Sequence, residues 1–172
     1  MDVLEPPRVT ERPPQDYLGI RLVTPFRGML GKRNDLLDEL SSWLANHRID
    51  DAGPFFLRLH VIDMNGPMDL EVGAMTPPPV RPADHRARAG DGRVRPGMLP
   101  GGRYATMTYR NHSLRANRAL LEWTAAEGLV LDRRESAAGD IFGCRYEAYR
   151  TDPRTEPRKT KWEVELNLRL AD

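Results

Sequence analysis

Apolar and polar residues alternate without a break near the end of the chain. Residues 161–170 read KWEVELNLRL, and five of them form an apolar face: Trp162, Val164, Leu166, Leu168 and Leu170. This period of two predicts a strand with one buried face. The opposite face carries Glu163, Glu165 and Asn167, and either it faces solvent or it lines a site. The pattern alone favours solvent.

The same succession of elements occurs twice along the chain. The order strand, helix, strand, strand fits 17–23, 34–47, 53–64 and 68–75 in the first half, and 102–110, 113–128, 141–150 and 161–170 in the second. The first helical stretch places its apolar residues on one helix face, and the second contains apolar residues between Leu114 and Trp123. Asn34 and Ser113 are the predicted N-caps, and Gly128 is the predicted C-terminal stop. This order indicates a tandem duplication.

Matching positions in the two halves support the duplication. Trp43 and Trp123 recur at corresponding places in the helices, and Glu71 and Glu165 each lie mid-strand on the less apolar face of a final strand. Such a repeat predicts an α+β fold whose halves pair about a pseudo-twofold axis. Helices would cover one face of a curved antiparallel sheet. The other face would form a ligand cleft along the join, where small ligands are commonly bound.

A stretch rich in proline, glycine and arginine separates the halves. Residues 77–97 contain few apolar side chains, which is typical of a linker or mobile loop. We expect one domain over residues 1–172, with repeat one at about 9–76 and repeat two at about 98–170.

Composition places the chain among globular proteins of ordinary size. It has 172 residues, of which 40% are hydrophobic and 30% charged, enough to bury a core without disulfides or metal. The net charge of +1 gives no basic field, so we expect no direct nucleic-acid partner. The sequence shows neither signal-peptide features nor an apolar run long enough to span a membrane. We therefore expect a cytoplasmic protein with no membrane partner.

Cysteine and histidine give no sign of a metal or redox site. The single cysteine, Cys144, excludes an intramolecular disulfide framework, and its strand-like surroundings favour a buried structural thiol over a nucleophile. His47, His60, His85 and His112 lack metal-ligand spacing. We expect no metal and no cofactor.

Six segments carry the motifs of a known domain in matching order. They are PPQDYLGIR at 13–21, GPFFLRLH at 53–60, MDLEVGAM at 68–75, LPGGRYATMTYRN at 99–111, RYEAYRTDP at 145–153 and WEVELNLRL at 162–170. Together they resemble the GyrI-like small-molecule-binding domain of bacteria, which is also the effector-binding domain of AraC-type and MerR-type multidrug regulators. The likeness covers Val9 to Leu170. It departs at Asn111, Val164 and Arg169, where the family usually has glycine, threonine and proline.

The resemblance implies a pocket on the concave sheet face, with aromatic walls and a buried glutamate from the closing strand. On this chain the glutamate is Glu165, which would also be the catalytic general base if the protein is an enzyme. The candidate ligand-binding residues are Glu165, Tyr104, Tyr149, Glu147, Phe56, Trp123 and Trp162. Periodicity also assigns both tryptophans to apolar core faces, so Tyr104 and Tyr149 are the stronger candidates.

Two alternatives to a ligand site stay open at this point. If a protein cation such as Arg145 or Lys161 caps Glu165, a structural ion pair is the better interpretation. Glu147 and Arg145 share the Tyr149 face, and they pair either with each other or with a ligand.

Three functions are compatible with the resemblance. The first is a stand-alone sensor or sequestering protein for small amphipathic aromatic molecules, cations among them, held by a carboxylate and aromatic faces. The second is a cofactor-independent hydrolase of reactive cyclopropane-bearing natural products, with Glu165 as base and Tyr104 or Tyr149 as hydrogen-bond donor. The third is a protein-binding role, since the family is named for an inhibitor of DNA gyrase. We rank them in that order, and a homodimer is compatible with each.

Overall fold

The computed structural model describes residues 1–77 and 92–172. In these residues ten strands form one antiparallel sheet: β1 (Asp2–Arg12), β2 (Gln15–Pro25), β3 (Phe55–Ile62), β4 (Pro67–Met75), β5 (Arg95–Leu99), β6 (Gly102–Arg110), β7 (Arg133–Ser136), β8 (Gly139–Phe142), β9 (Arg145–Tyr149) and β10 (Glu163–Arg169). Two helices of the described residues, α1 (Met29–Asn46) and α2 (Ser113–Ala126), pack on one face. A 3₁₀ helix over Lys159–Lys161 precedes β10. The predicted α+β fold is confirmed.

The strand order reveals the symmetry of the repeat. Across the sheet it runs β1-β6-β10-β9-β3-β4-β2-β5, and the β7–β8 hairpin joins β3 through β8. Because β3 and β9 meet at the centre, β4 and β10 take matching places, as do β2 and β6. Glu71 faces Arg21 across β4 and β2, and Glu165 faces Thr108 across β10 and β6. The two glutamates are therefore equivalent.

The two outermost strands are exchanged between the halves. β1 precedes β2 in the chain but pairs with β6, and β5 precedes β6 but pairs with β2. The sequence pattern missed both strands, because Pro6 and Pro7 interrupt the first and the second begins inside the predicted linker. Register shifts between Glu5 and Arg8 accommodate the prolines at the sheet edge. Of that linker, residues 78–91 lie outside the described residues.

Both helices begin after a residue in the left-handed conformation. Gly28 (φ +83°) precedes α1, and His112 (φ +66°) precedes α2. The prediction of Asn34 and Ser113 as N-caps is therefore wrong, since Asn34 lies in the second turn of α1 and Ser113 is the first residue of α2. The apolar pattern misplaced the start of α1 because its first turn carries no regular apolar stripe. The predicted stop at Gly128 is confirmed by its φ of +69°.

Side chains pack on both faces of the sheet. The larger apolar cluster lies between sheet and helices, on what we call the helix face, and includes Leu40, Leu44, Leu70, Val72, Met107 and Leu166. A smaller and mostly aromatic cluster covers the opposite, open face: Tyr17, Phe56, Leu99, Tyr104, Cys144, Tyr146 and Ala148. The Phe56 ring lies against Gly73, where a Cβ would come within 2.3 Å of it. The middle of the open face is thus filled by the protein itself.

The strand predicted at 141–150 is interrupted in the structure. β8 ends at Phe142 and β9 begins at Arg145, so Gly143 and Cys144 lie between them. Cys144 is buried, as predicted, and burial raises the pKa of its thiol. Among the described residues, neither α1 nor α2 combines the length and the apolarity that crossing a membrane requires.

Candidate functional site

The structure divides the predicted site residues between the two faces. Glu147, Tyr149 and Trp162 lie on the helix face, and Glu165, Tyr104 and Phe56 lie on the open face. Trp123 is half-buried and packs against the main apolar core. The two groups are separated by the sheet, so a single small ligand cannot contact both.

A cavity of about 190 Å³ opens on the helix face. Its walls come from α1, the start of α2, strands β6 and β9, and the segment that leads into β10. The residues that line it include Leu30, Arg33, Tyr109, Ser113, Glu147, Tyr149, Lys159 and Trp162. The cavity therefore contains three of the predicted ligand-binding residues and joins elements of both halves.

Glu147 and Tyr149 form the polar pair at the floor of this cavity. They alternate along β9 with Ala148 between them, which directs both side chains to one face. The Tyr149 hydroxyl donates a hydrogen bond to Glu147 Oε1 at 2.5 Å. Burial raises the pKa of Tyr149 well above its usual value, and the nearby Glu147 carboxylate raises it further. The phenol therefore remains a hydrogen-bond donor.

Aromatic rings surround this pair. Tyr149 and Trp162 pack with their ring centroids 5.1 Å apart, and the Trp162 indole nitrogen donates to the Glu156 carbonyl at 2.7 Å. Tyr109, on β6, contributes a third buried ring, and burial raises the pKa of its hydroxyl. Sequence reasoning missed Tyr109, although it continues the alternating apolar face of Ala105 and Met107.

The side chain of an arginine, Arg33, lies over two of these aromatic rings. The Arg33 guanidinium lies 5.6 Å from the ring centroid of Tyr149 and 5.4 Å from that of Trp162. Its Nη1 is 3.7 Å from Glu147 Oε1 and 3.5 Å from the Tyr149 hydroxyl. Arg33 is only 7% exposed. The sequence held a signal for it, since Arg33 precedes Leu37 by one helical turn on the apolar face of α1.

Glu165 lies on the open face and is bound by two arginines. Arg12 Nη2 is 2.8 Å from Oε1, and Arg150 Nη2 is 2.5 Å from Oε2. Arg150 also contacts Glu5 at 2.7 Å, so the network fastens β1 to β9 and β10. Neither Arg145 nor Lys161 supplies the cation. The prediction that Glu165 binds ligand stays a prediction, and these contacts favour the structural ion pair.

Within the described residues, Arg145 forms an ion pair with neither Glu147 nor Glu165, and binding of Arg145 to a ligand stays a prediction. Its Nη2 donates to Asn117 Oδ1 at 3.0 Å, and its guanidinium lies 5.0 Å from the centroid of the Phe142 ring. Burial lowers the pKa of Arg145 to about 10, and the Glu147 carboxylate acts in the opposite direction. At that pKa Arg145 remains charged at neutral pH.

Glu71, the equivalent of Glu165, is also satisfied by the protein. It accepts hydrogen bonds from the Tyr17 hydroxyl at 2.7 Å and lies 2.8 Å from His60 Nε2. Burial acts to raise the pKa of Glu71, but the bonds to His60 and Tyr17 outweigh it and the pKa is lowered. Both mid-strand glutamates thus have partners within the protein.

Tyr104 borders a smaller cavity on the open face. This cavity, of about 140 Å³, is also lined by Tyr146 and Arg12. The Tyr104 hydroxyl donates to the Pro100 carbonyl at 2.5 Å, and burial raises its pKa. Phe56 and Tyr146 pack edge to face with centroids 5.9 Å apart. This cavity brings together fewer polar groups than the one on the helix face.

Among the residues that the structure describes, no three histidine, cysteine, aspartate or glutamate side chains are grouped so as to hold a metal ion. His85 lies outside the described residues. The polar groups of the helix-face cavity are suited to hydrogen bonding, ion pairing and cation–π contact.

Several solved structures of other proteins resemble this chain along almost its whole length. No protein family model and no curated protein sequence matches the chain. A hydrolase from Listeria innocua has a similar structure, with a TM-score of 0.58 and 15% identity, over 96% of this chain and 91% of that one. The EcmrR C-terminal domain gives 0.59 and 14%, over 98% and 99%. SAV2435 bound to tetraphenylphosphonium gives 0.56 and 12%, over 99% and 94%. At 12–15% identity, these likenesses show that the chain shares the fold of these proteins.

Proposed function

We propose that the chain is a sensor or sequestering protein that binds small amphipathic aromatic compounds in the helix-face cavity. The observation that carries the proposal is the polar pair of Glu147 and Tyr149 inside a wall of buried rings. Apolar cavities with a few convergent polar groups are the usual form of small-molecule sites. SAV2435 shares the fold and was solved bound to tetraphenylphosphonium, which supports small-molecule binding by this chain.

A cationic compound would meet a positive charge of the protein in this cavity. A cationic aromatic compound would approach Glu147 across the faces of Tyr149 and Trp162, each contributing on the order of 0.5–2 kcal/mol of cation–π attraction. In this structure Arg33 already lies in that position, so such a compound has to compete with a cation of the protein.

A second candidate function is hydrolysis of a reactive cyclopropane compound. The observation that favours it is the short Tyr149–Glu147 hydrogen bond, which places a carboxylate and a phenol side by side in an open cavity. A water oxygen would bond to a cyclopropane carbon, the strained C–C bond would break, and Glu147 would accept the proton that water loses. Tyr149 would donate a hydrogen bond to the group that receives the electron pair. Glu165 is less suited to be the base, because two arginines hold it.

The experiment is a binding screen with a cavity-filling variant. Leu30 lines the cavity and is 52% exposed, so Leu30→Trp fills it with little risk to folding. Leu114→Trp, on an exposed residue of α2 outside the cavity lining, is the matched control. We expect calorimetry to show that aromatic compounds bind the wild type and Leu114→Trp but bind Leu30→Trp at least tenfold more weakly. Equal binding by all three proteins would remove this cavity from consideration.

Product analysis separates the two functions. If the chain is a hydrolase, wild type converts a cyclopropane compound and Glu147→Gln does not, although both bind a stable analogue. If the chain is a binding protein, the compound is recovered unchanged from both.

A further inference from the structure

We propose that Arg33 makes the helix-face cavity selective for aromatic compounds with an anionic group, of which an aryl carboxylate is the simplest. The inference rests on the proposed function and adds the chemical class of the ligand. It differs from the cationic ligand that the resemblance implies, and four features of the cavity lead to it.

The first feature is the balance of charge around the cavity. Arg33 and Lys159 are both positive, and Lys159 Nζ lies 5.7 Å from the centroid of the Trp162 ring. Glu147 is the single carboxylate among the residues that line the described cavity. Ser113 begins α2, whose N-terminal amides add partial positive charge. The surroundings therefore favour an anion.

The second feature is the poor pairing of Arg33. It is buried, yet its contacts to Glu147 and the Tyr149 hydroxyl are 3.7 Å and 3.5 Å long. Its other described hydrogen bonds, at 3.1 and 3.2 Å, go to the neutral Asn34 side chain. Charge-assisted bonds are normally about 2.7–2.9 Å. Among the residues that the structure describes, none gives the buried Arg33 charge a short bond to an anion, and a ligand carboxylate would supply one.

The third feature is that one oxygen of the Glu147 carboxylate already has partners in the protein. Its Oε1 already accepts the Tyr149 hydrogen bond at 2.5 Å and faces the Arg33 guanidinium. An incoming cation would add a third positive charge beside Arg33 and Lys159 and would compete with Arg33 for Glu147. An incoming anion faces no such competition, because Arg33 still has unused N–H groups.

The fourth feature is size. The cavity, at about 190 Å³, is smaller than the roughly 300–1,000 Å³ of sites for drug-sized ligands. One aromatic ring with a small acidic group fits this volume better than a cation with several rings. The ring would pack against Trp162 and Tyr109, and the carboxylate would point to Arg33 and the start of α2.

The test uses three probes of one shape and different charge: benzoate, benzamide and benzamidinium. Calorimetry or ligand-observed NMR measures their affinities for wild type, Arg33→Met and the control Arg115→Met, which removes a charge from an exposed position on α2. We expect wild type and Arg115→Met to bind benzoate at least tenfold more tightly than benzamidinium. Arg33→Met should lose that preference or reverse it.

A second variant covers the case in which Arg33→Met fails to fold. Glu147→Gln removes the opposing carboxylate, so it should strengthen benzoate binding severalfold and weaken benzamidinium binding. A wild type that prefers benzamidinium, or a preference that neither variant changes, would overturn the inference. If either of these outcomes is found but Leu30→Trp still loses binding, the cavity remains the binding site. Only the inference about charge then fails, and the proposed function stands. If no probe binds, or binding persists in Leu30→Trp, both proposals fail.

Discussion

Two glutamates on neighbouring strands differ in how many arginines they contact and at what distance. Glu165 on β10 has Arg12 and Arg150 at 2.8 and 2.5 Å, on the open face. Glu147 on β9 has Arg33 at 3.7 Å, on the helix face, and a cavity beside it. Both carboxylates are mostly buried, at 12% and 13% side-chain exposure, so exposure does not distinguish them.

The difference in arginine contacts indicates which of the two glutamates is structural and which is able to bind a ligand. A carboxylate whose oxygens both accept short bonds from arginine has little capacity left for a ligand. A carboxylate and a guanidinium that are farther apart and border a cavity still have hydrogen-bonding groups available to a ligand. By this criterion Glu147 and Arg33 form the candidate site, and Glu165 fastens β1 to the sheet.

The largest expected effect is on stability, from Glu165→Gln. The change removes the charge that Arg12 and Arg150 share, and it leaves both guanidiniums facing a neutral amide. Because those arginines are 26% and 35% exposed, water compensates in part. We expect a loss of about 1–2 kcal/mol in the free energy of unfolding, below that of fully buried pairs. Urea titration measures it.

Glu163→Gln is the control for this prediction. Glu163 lies on the same strand and face, but its contact with Arg110 is 3.6 Å long and its side chain is 44% exposed. Its replacement should change stability by less than about 0.5 kcal/mol. A loss of ligand binding in Glu165→Gln, at unchanged stability, would reverse the roles assigned to the two glutamates.

A smaller effect on stability is expected from Glu147→Gln. Glutamine keeps an acceptor for the Tyr149 hydroxyl, and the contact that is lost to Arg33 is already long. We therefore expect the unfolding free energy to change by less than about 1 kcal/mol. Thermal and urea unfolding measure this, and the variant should change ligand binding instead. A loss larger than that of Glu165→Gln would show that Glu147 and Arg33 are mainly a structural pair.

The smallest effect is expected in acid, at Glu5. The hydrogen bond from Arg150 lowers the pKa of Glu5 from 4.5 to about 2. Because the folded pKa lies below the unfolded one, the pair stabilises the fold fully above about pH 4.5 and loses its effect as pH falls to 2. The stability difference between wild type and Glu5→Gln should therefore shrink over that window. Glu122→Gln, at an exposed position on α2, is the control. A constant difference for Glu5→Gln would contradict the prediction.

The sequence was sufficient to predict most of the fold. Alternation in β10, the helix pattern over Leu36–Leu44 and the repeated order of elements all depend on neighbours in sequence. The structure contains these elements, with the β7–β8 hairpin added before β9 in the second half. β1 was missed because its prolines oppose a strand locally. Pairing with β6 overcomes that preference, and only the folded sheet shows it.

The site was harder to predict, because its contacts join residues far apart in sequence. The motif Glu147-x-Tyr149 was recognised, but nothing near it indicates that Arg33 lies over Tyr149. Likewise, the partner of Glu165 was sought in Arg145 or Lys161, whereas Arg12 comes from the other half of the chain and Arg150 follows directly after β9. The apolar and polar pattern predicts on which face of a strand or helix a side chain lies. It does not predict which distant residues that side chain contacts.

The exchange of β1 and β5 has a consequence for how the chain folds as it is synthesised. β1 emerges early, but its partner β6 lies in the second half, as the pairing of Val9 with Ala105 shows. The first half therefore exposes an unpaired β1 and an incomplete edge on β2 until the second half is made. Such distant pairings raise the contact order and slow folding. We expect neither half to form a stable domain when produced alone, and the two to complement each other when mixed.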